Sequence, residues 1–259
     1  MNTLNPRLAE FLVSKYRLYA QPEYFVNDPI CIPKHFSIQQ DIEISAFFAA
    51  TLAWGQRTTI VRNSMKLMQA MDFAPYDFIL NHTEADLKRL DGFVHRTFNF
   101  TDLLYFIERL REAFQNYQSL EQIFVSNMAE KDKNTENAII GFYHWFFAPA
   151  WHPKRTVKHV ANPEKNSACK RLNMFLRWMV RTDKENVDFG IWKQIQAAQL
   201  VCPLDTHVCR VAKGLGLLDK EKADWTNALA LTESLKLIDP EDPVKFDFAL
   251  FGLGVEEKY

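Results

Sequence analysis

The run Pro203-Leu204-Asp205-Thr206-His207-Val208-Cys209-Arg210-Val211 delivers one carboxylate to the start of an amphipathic helix. Val208, Val211, Ala212 and Leu215 fall at i, i+3, i+4 and i+7, a single apolar helix face. Asp205 stands where an N-cap belongs, and Gly214 and Gly216 supply stop signals. A carboxylate held at a rigid helix start can be a cap, a catalyst, or both. Most aspartates in this position only cap, because the side-chain oxygen takes up an open N–H of the first turn. Catalysis needs partners from elsewhere in the chain.

Two other segments could supply them. Ser167-Ala168-Cys169-Lys170-Arg171-Leu172-Asn173 puts Lys170 in the first turn of a helix whose other face, Leu172, Phe175, Leu176 and Met179, turns inward. A cation there opposes the helix dipole. Partial desolvation at such a position leaves a fraction of free amine, and a free amine is a nucleophile able to form a Schiff base. The plain alternative is a surface lysine that binds phosphate or nothing. Ala53-Trp54-Gly55-Gln56-Arg57-Thr58-Thr59 reads as a helix-to-helix turn. The Gln56 side chain on it can hydrogen-bond an unpaired base, or be an ordinary loop glutamine.

The elements that must position these residues are helices. Apolar residues recur at helical spacing over Leu4–Tyr19, from Ile38 to Leu52 behind a Ser37 cap, and from a start at Thr58 or Thr59 through Val61, Met65, Met68 and Met71. Two shorter helices fit Pro75–Leu90. Thr101 is placed to cap the next, and others cover Leu120–Ala129 and Ile139–Phe147. Residues 149–166 are irregular, with Pro149, Pro153 and Pro163. Ser167–Arg181, the Asp205 helix, Lys220–Leu237 and Asp242–Leu253 complete the chain. No Gly-rich phosphate loop and no nucleophile elbow is visible.

Composition agrees with an all-α protein. Of 259 residues 47% are hydrophobic, with 21 Phe against 8 Gly, enough apolar mass for one large domain or two helical lobes. No apolar run reaches the roughly 18 residues of a membrane span. The start Met1-Asn2-Thr3-Leu4-Asn5-Pro6 lacks the basic and apolar regions of a secretory signal. Cys31, Cys169, Cys202 and Cys209 form no CxxC pair and no zinc-ligand spacing. The expectation is a cytoplasmic protein with reduced thiols, no metal and no membrane partner. Net charge is −1, but residues 151–213 carry 12 Lys/Arg against 5 Asp/Glu, leaving +7 there and −8 elsewhere. Such a local excess points to a polyanion on one face, or to chance clustering on a solvated surface.

In their order the three segments resemble the helix-hairpin-helix DNA glycosylases, the superfamily of endonuclease III and the 8-oxoguanine glycosylases. Leu204-Asp205-Thr206-His207-Val208-Cys209-Arg210-Val211 matches the family's VDTHV–RV motif almost letter for letter. Asn166-Ser167-Ala168-Cys169-Lys170-Arg171-Leu172-Asn173 overlays its GVGRKTAN hairpin, with Lys170 on the catalytic lysine. Ala53–Thr59 resembles its SAQATD turn, with Gln56 on the residue that fills the hole left by a flipped base. Asp247-Phe248-Ala249-Leu250-Phe251-Gly252 resembles its last core helix. The resemblance spans roughly residues 37–254. The departures are specific: Asn166 and Ala168 replace the hairpin glycines, Lys170 and Asp205 are 35 residues apart with Thr182–Leu200 as an apparent insertion, and the iron–sulfur cysteines are missing. The close of the chain resembles a bacterial branch of the superfamily other than those of known substrate.

The resemblance implies an all-α, two-lobed DNA-glycosylase-like fold with a cleft between the lobes. Residues 1–36 with 220–259 would form one lobe. Residues 37–219 would form a helical core with a hairpin-like segment 163–181 and the LDTHV helix. It implies base-excision repair of damaged duplex DNA by a monomer without an iron–sulfur cluster, with AP-lyase activity as an extension. Lys170 and Asp205 would be catalytic. Gln56, Trp54, Arg57, Lys154, Arg155, Lys158, Lys165, Asn166 and Arg171 would contact DNA. His207 points away from Asp205 and reads as structural or DNA-facing, and Phe175 and Trp178 as core. The alternatives are a nucleic-acid-binding protein on the same scaffold without catalysis, or an unrelated helical interaction protein.

Overall fold

The computed structural model describes residues 5–259. It is mostly helical, as composition predicts. The α-helices are α1 Pro6–Tyr19, α2 Gln39–Thr51, α3 Arg57–Ala70, α4 Pro75–Asn81, α5 Glu84–Lys88, α6 Phe100–Asn116, α7 Glu121–Val125, α8 Glu136–Phe146, α9 Lys170–Val180, α10 Thr206–Gly214, α11 Trp225–Lys236 and α12 Asp247–Val255. A small antiparallel hairpin, β1 Val94–His95 and β2 Phe98–Asn99, pairs His95 with Phe98. Among the described residues no helix is long and apolar enough to cross a membrane. Met1–Leu4, including the predicted Leu4 start of the first helix, lie outside the described residues.

The chain divides into two compact units, residues 1–24, 129–137 and 162–259, and residues 25–128 and 138–161. This division follows another line than the predicted 1–36 plus 220–259 lobe and 37–219 core. The hairpin-like segment and the LDTHV helix fall in the same unit as both termini. Local pattern reveals helices but not which of them share a core.

In the unit built on residues 25–128, α2 is buried at every position from Asp41 to Thr51 and packs against α3 and α4. A helix apolar on all sides belongs in a core. Its two acids are buried with partners: Asp41 accepts the Tyr76 N–H at 2.8 Å, and Glu43 accepts the Ser119 hydroxyl at 2.6 Å and the Leu120 N–H at 2.8 Å. Much of this core is phenylalanine. Phe124 stacks on Phe142 at 4.3 Å, and Phe106 meets Phe146 edge-on at 4.8 Å. These rings fill the core by stacked and edge-on packing.

In the other unit, α12 packs against both α1 and α10. Gly252 permits the first contact, since a Cβ there would lie 2.3 Å from the Tyr19 ring. Two buried arginines of α9 and its C-cap tie the surrounding loops together. Arg177 pairs with Asp188 and Asp247, and Arg181 with Asp183, Asp188 and Asp242. These cations belong to the predicted basic excess, yet they sit in the core as ion pairs. The charge count therefore overstates the positive surface.

Several helix starts shift from prediction. Ile38, not Ser37, is the N-cap of α2, without a side-chain bond. Gln56 is the N-cap of α3, so that helix begins before Thr58. Asn99, not Thr101, caps α6 in a reciprocal capping box with Asp102. Each shift is small, and the ends of a helix are the part that local pattern fixes least.

Candidate functional site

Asp205 is the N-cap of α10, as its sequence context predicts. Its backbone is extended (φ −121°, ψ −176°), and Oδ1 accepts the N–H groups of His207 at 2.9 Å and Val208 at 3.0 Å. Val208, Val211 and Ala212 are buried and seat the helix. The cap therefore fixes the carboxylate and leaves Oδ2 free to face outward. Oδ2 lies 3.2 Å from Lys170 Nζ. The two side chains are 26% and 30% exposed, so the pair is partly desolvated yet reachable. Burial alone would push the Asp205 carboxyl up; the Lys170 charge and the Val208 N–H outweigh it and hold the group below the usual carboxylate range. Asp205 is thus ionised beside the Lys170 nitrogen.

Lys170 is the first residue of α9. The segment that delivers it makes a hairpin-like turn without glycine. Asn166 (φ 51°) and Cys169 (φ 48°) both adopt the left-handed conformation. The second left-handed position is therefore Cys169, not the Ala168 that replaces a hairpin glycine in the family pattern. Asn tolerates this conformation; for cysteine it is unusual. Asn166 is latched to the start of α11. Its carbonyl accepts the Trp225 N–H at 3.3 Å, and its Oδ1 accepts the Thr226 N–H and hydroxyl at 3.3 Å each. An isolated bridge joins Ser167 to Asp224. Through these acceptors the turn is braced within its own unit. Cys169 is buried, and burial pushes its thiol up to about 12. Burial also raises Cys202, and Cys209 to about 11, so these thiols are neutral packing groups at neutral pH.

The remaining predicted residues of this unit contribute differently. Lys165 is exposed. Arg171 is half-buried, and burial pulls its guanidinium down to about 10, still charged at neutral pH. Phe175 and Trp178 are core, and His207 is exposed.

In the other unit, Trp54-Gly55-Gln56 forms the predicted turn between α2 and α3. Gln56 is exposed, and its side chain makes no cap bond to α3. Trp54 is half-buried and is covered rather than offered for stacking: the Arg96 guanidinium lies 4.7 Å from its ring centre. The β1–β2 hairpin braces the turn, with His95 Nε2 3.1 Å from the Trp54 carbonyl and its Nδ1 3.0 Å from Asn63. Arg57 is half-buried at the start of α3, and Lys154 and Lys158 are exposed. Arg155 is already engaged, donating to the Thr97 carbonyl at 2.8 Å and lying 3.3 Å from the buried Asp102.

A family model described as a protein of unknown function, DUF2400, matches residues 28–256. The chain belongs to the DUF2400 family. No curated protein and no solved structure matches it. The matched span of this DUF2400 chain includes Gln56, Lys170, Asp205 and Asp247 together.

Two residues of this DUF2400 member escaped the sequence reading. Asp247, the first residue of α12, is buried, hydrogen-bonds Arg177, and feels the charges of both Lys170 and Asp205. Burial pushes its carboxyl up to about 6 against the pull of Arg177 and Lys170. In sequence it falls inside the predicted helix Asp242–Leu253 and in the segment that resembles the last core helix, where nothing marks it as a neighbour of Lys170. Arg96 was missed because a two-residue strand leaves almost no periodicity. Among the described residues no three His, Cys, Asp or Glu side chains converge as a metal ion would need.

Proposed function

We propose that this protein is a DNA base-excision glycosylase with AP-lyase activity, acting as a monomer on damaged duplex DNA in the cytoplasm. One observation carries the reading: Lys170 and Asp205, 35 residues apart, meet at 3.2 Å at the starts of two helices, partly shielded from water. In this reading the helices form the two-lobed, cleft-bearing fold of the helix-hairpin-helix glycosylases. A damaged nucleotide leaves the stack, and Gln56 fills the hole.

Lys170 must lose a proton before it attacks. Asp205 Oδ2 is in place to relay that proton toward the departing base. The amine then forms a bond to the sugar C1′ as the glycosidic bond breaks, and the base leaves with that electron pair and a proton. Asp205 regains its charge as that proton passes to the base, and stabilises the cationic sugar that forms. The C1′–O4′ bond then opens with a proton passing from the nitrogen to O4′, which gives the Schiff base, and loss of a C2′ proton expels the 3′ phosphate by β-elimination. Exposed Lys154, Lys158 and Lys165 neutralise phosphates.

A second reading, nucleic-acid binding without base release, is favoured by the Asn166 latch, which occupies the turn that the glycosylases use to grip DNA. Single-turnover base release on a panel of duplexes, each with a different damaged base, decides between them. Release that disappears in Lys170→Gln supports the glycosylase. Duplex binding with no release from any lesion supports the second reading.

A further inference from the structure

The two-residue turn of the β1–β2 hairpin, Arg96-Thr97, breaks a local rule. Its first residue has φ +56°, where glycine, asparagine or aspartate is the usual occupant. Arginine there carries a backbone cost that its surroundings must maintain. The surroundings do so through the Gln56 turn. The Arg96 guanidinium lies 4.7 Å from the Trp54 ring centre, and its side chain packs over Gly55, where a Cβ would meet Nη1 at 2.9 Å and Cδ at 3.1 Å. Gly55, at φ +109°, leaves room for that approach. On the far side of the turn, Arg155 donates to the Thr97 carbonyl at 2.8 Å.

Arg96 is nonetheless exposed, and among the described residues no carboxylate lies within ion-pair distance of it. Its position is built, while the outer edge of its charge is unused. A planar guanidinium laid on an aromatic ring is preorganised to donate a pair of N–H groups to an anion. Next to Gly55 in the chain stands Gln56, exposed, with no cap bond from its side chain.

We propose that Arg96 is a DNA-backbone contact of this protein, held by Trp54 and Gly55 so that its guanidinium grips a phosphate beside the nucleotide that Gln56 addresses. The assignment rests on the DNA reading above. It makes the β1–β2 hairpin part of the interface, and it gives Trp54 the task of supporting Arg96 rather than stacking on a base.

Fluorescence anisotropy of a short labelled duplex, titrated with the full chain over a series of salt concentrations, tests the assignment. Arg96→Gly is the informative variant, because glycine suits the positive φ and keeps the hairpin folded. It should bind on the order of tenfold more weakly, equally on undamaged and abasic duplexes, with the log–log salt slope shallower by about 0.9. Its thermal midpoint should not fall, and Arg96→Lys should bind between the two. Equal affinity and slope for wild type and Arg96→Gly would overturn the Arg96 contact and leave the DNA reading standing. A fallen midpoint with an unchanged slope would overturn it as well, marking a folding role. A wild type that binds no duplex at any salt overturns both.

Discussion

At the scale of single residues, Asp205 divides two tasks between its two oxygens. Oδ1 caps α10 and Oδ2 faces Lys170. Substitutions separate the tasks. Asn keeps a capping oxygen, so Asp205→Asn should unfold in urea close to wild type while losing base release. Asp205→Ala loses the cap too and should be less stable by about 1 kcal/mol. The pH dependence follows from the same group. Its folded pKa lies below the ordinary 3.8, so its contribution is present above that value and is lost as pH falls through the folded one. Urea titrations between pH 2 and 6 should show wild type losing this increment in acid, whereas Asp205→Asn should not. Asp247 has the opposite sign. Its carboxyl is raised to about 6, so its contribution is full below 3.8 and falls away as pH rises through 6. The Asp205 cap was legible because aspartate before an apolar face has one common geometry. Asp247 was not, because its significance lies in neighbours distant in the chain.

At the scale of elements, the segment 166–170 replaces glycine with bracing. Asn166 holds a left-handed turn that its own side chain ties to Thr226. Asn166→Ala loses both the tolerance for that conformation and the tie. It should cost roughly 1–3 kcal/mol by urea denaturation, and Asn166→Gly less. Helix identity was readable here from the spacing of Leu172, Phe175, Leu176 and Met179. The start at Lys170 was readable only within a few residues, because Ser167, Ala168 and Cys169 all fit a helix by propensity. It is the left-handed Cys169 that excludes them. The Arg96 hairpin was invisible for a related reason. Two residues per strand give no alternation, and an arginine at its turn carries no turn signal.

At the scale of the molecule, charge and position come apart. Arg177 and Arg181 counted toward a basic region in the sequence, but both are buried among aspartates from two stretches of chain. Arg181→Met would leave Asp183, Asp188 and Asp242 without that cation. Thermal or urea unfolding should show a loss of about 3–5 kcal/mol. The all-α class was legible from composition, whereas the grouping of helices into units was not, since it depends on long-range packing that no local window contains. The central claim is that Lys170 is a nucleophile, and borohydride trapping on a duplex with an abasic site tests it most directly. Wild type and Asp205→Asn should each form a covalent adduct that survives denaturing electrophoresis, and Lys170→Gln should form none. An adduct that persists in Lys170→Gln, or no adduct with wild type, would contradict the account.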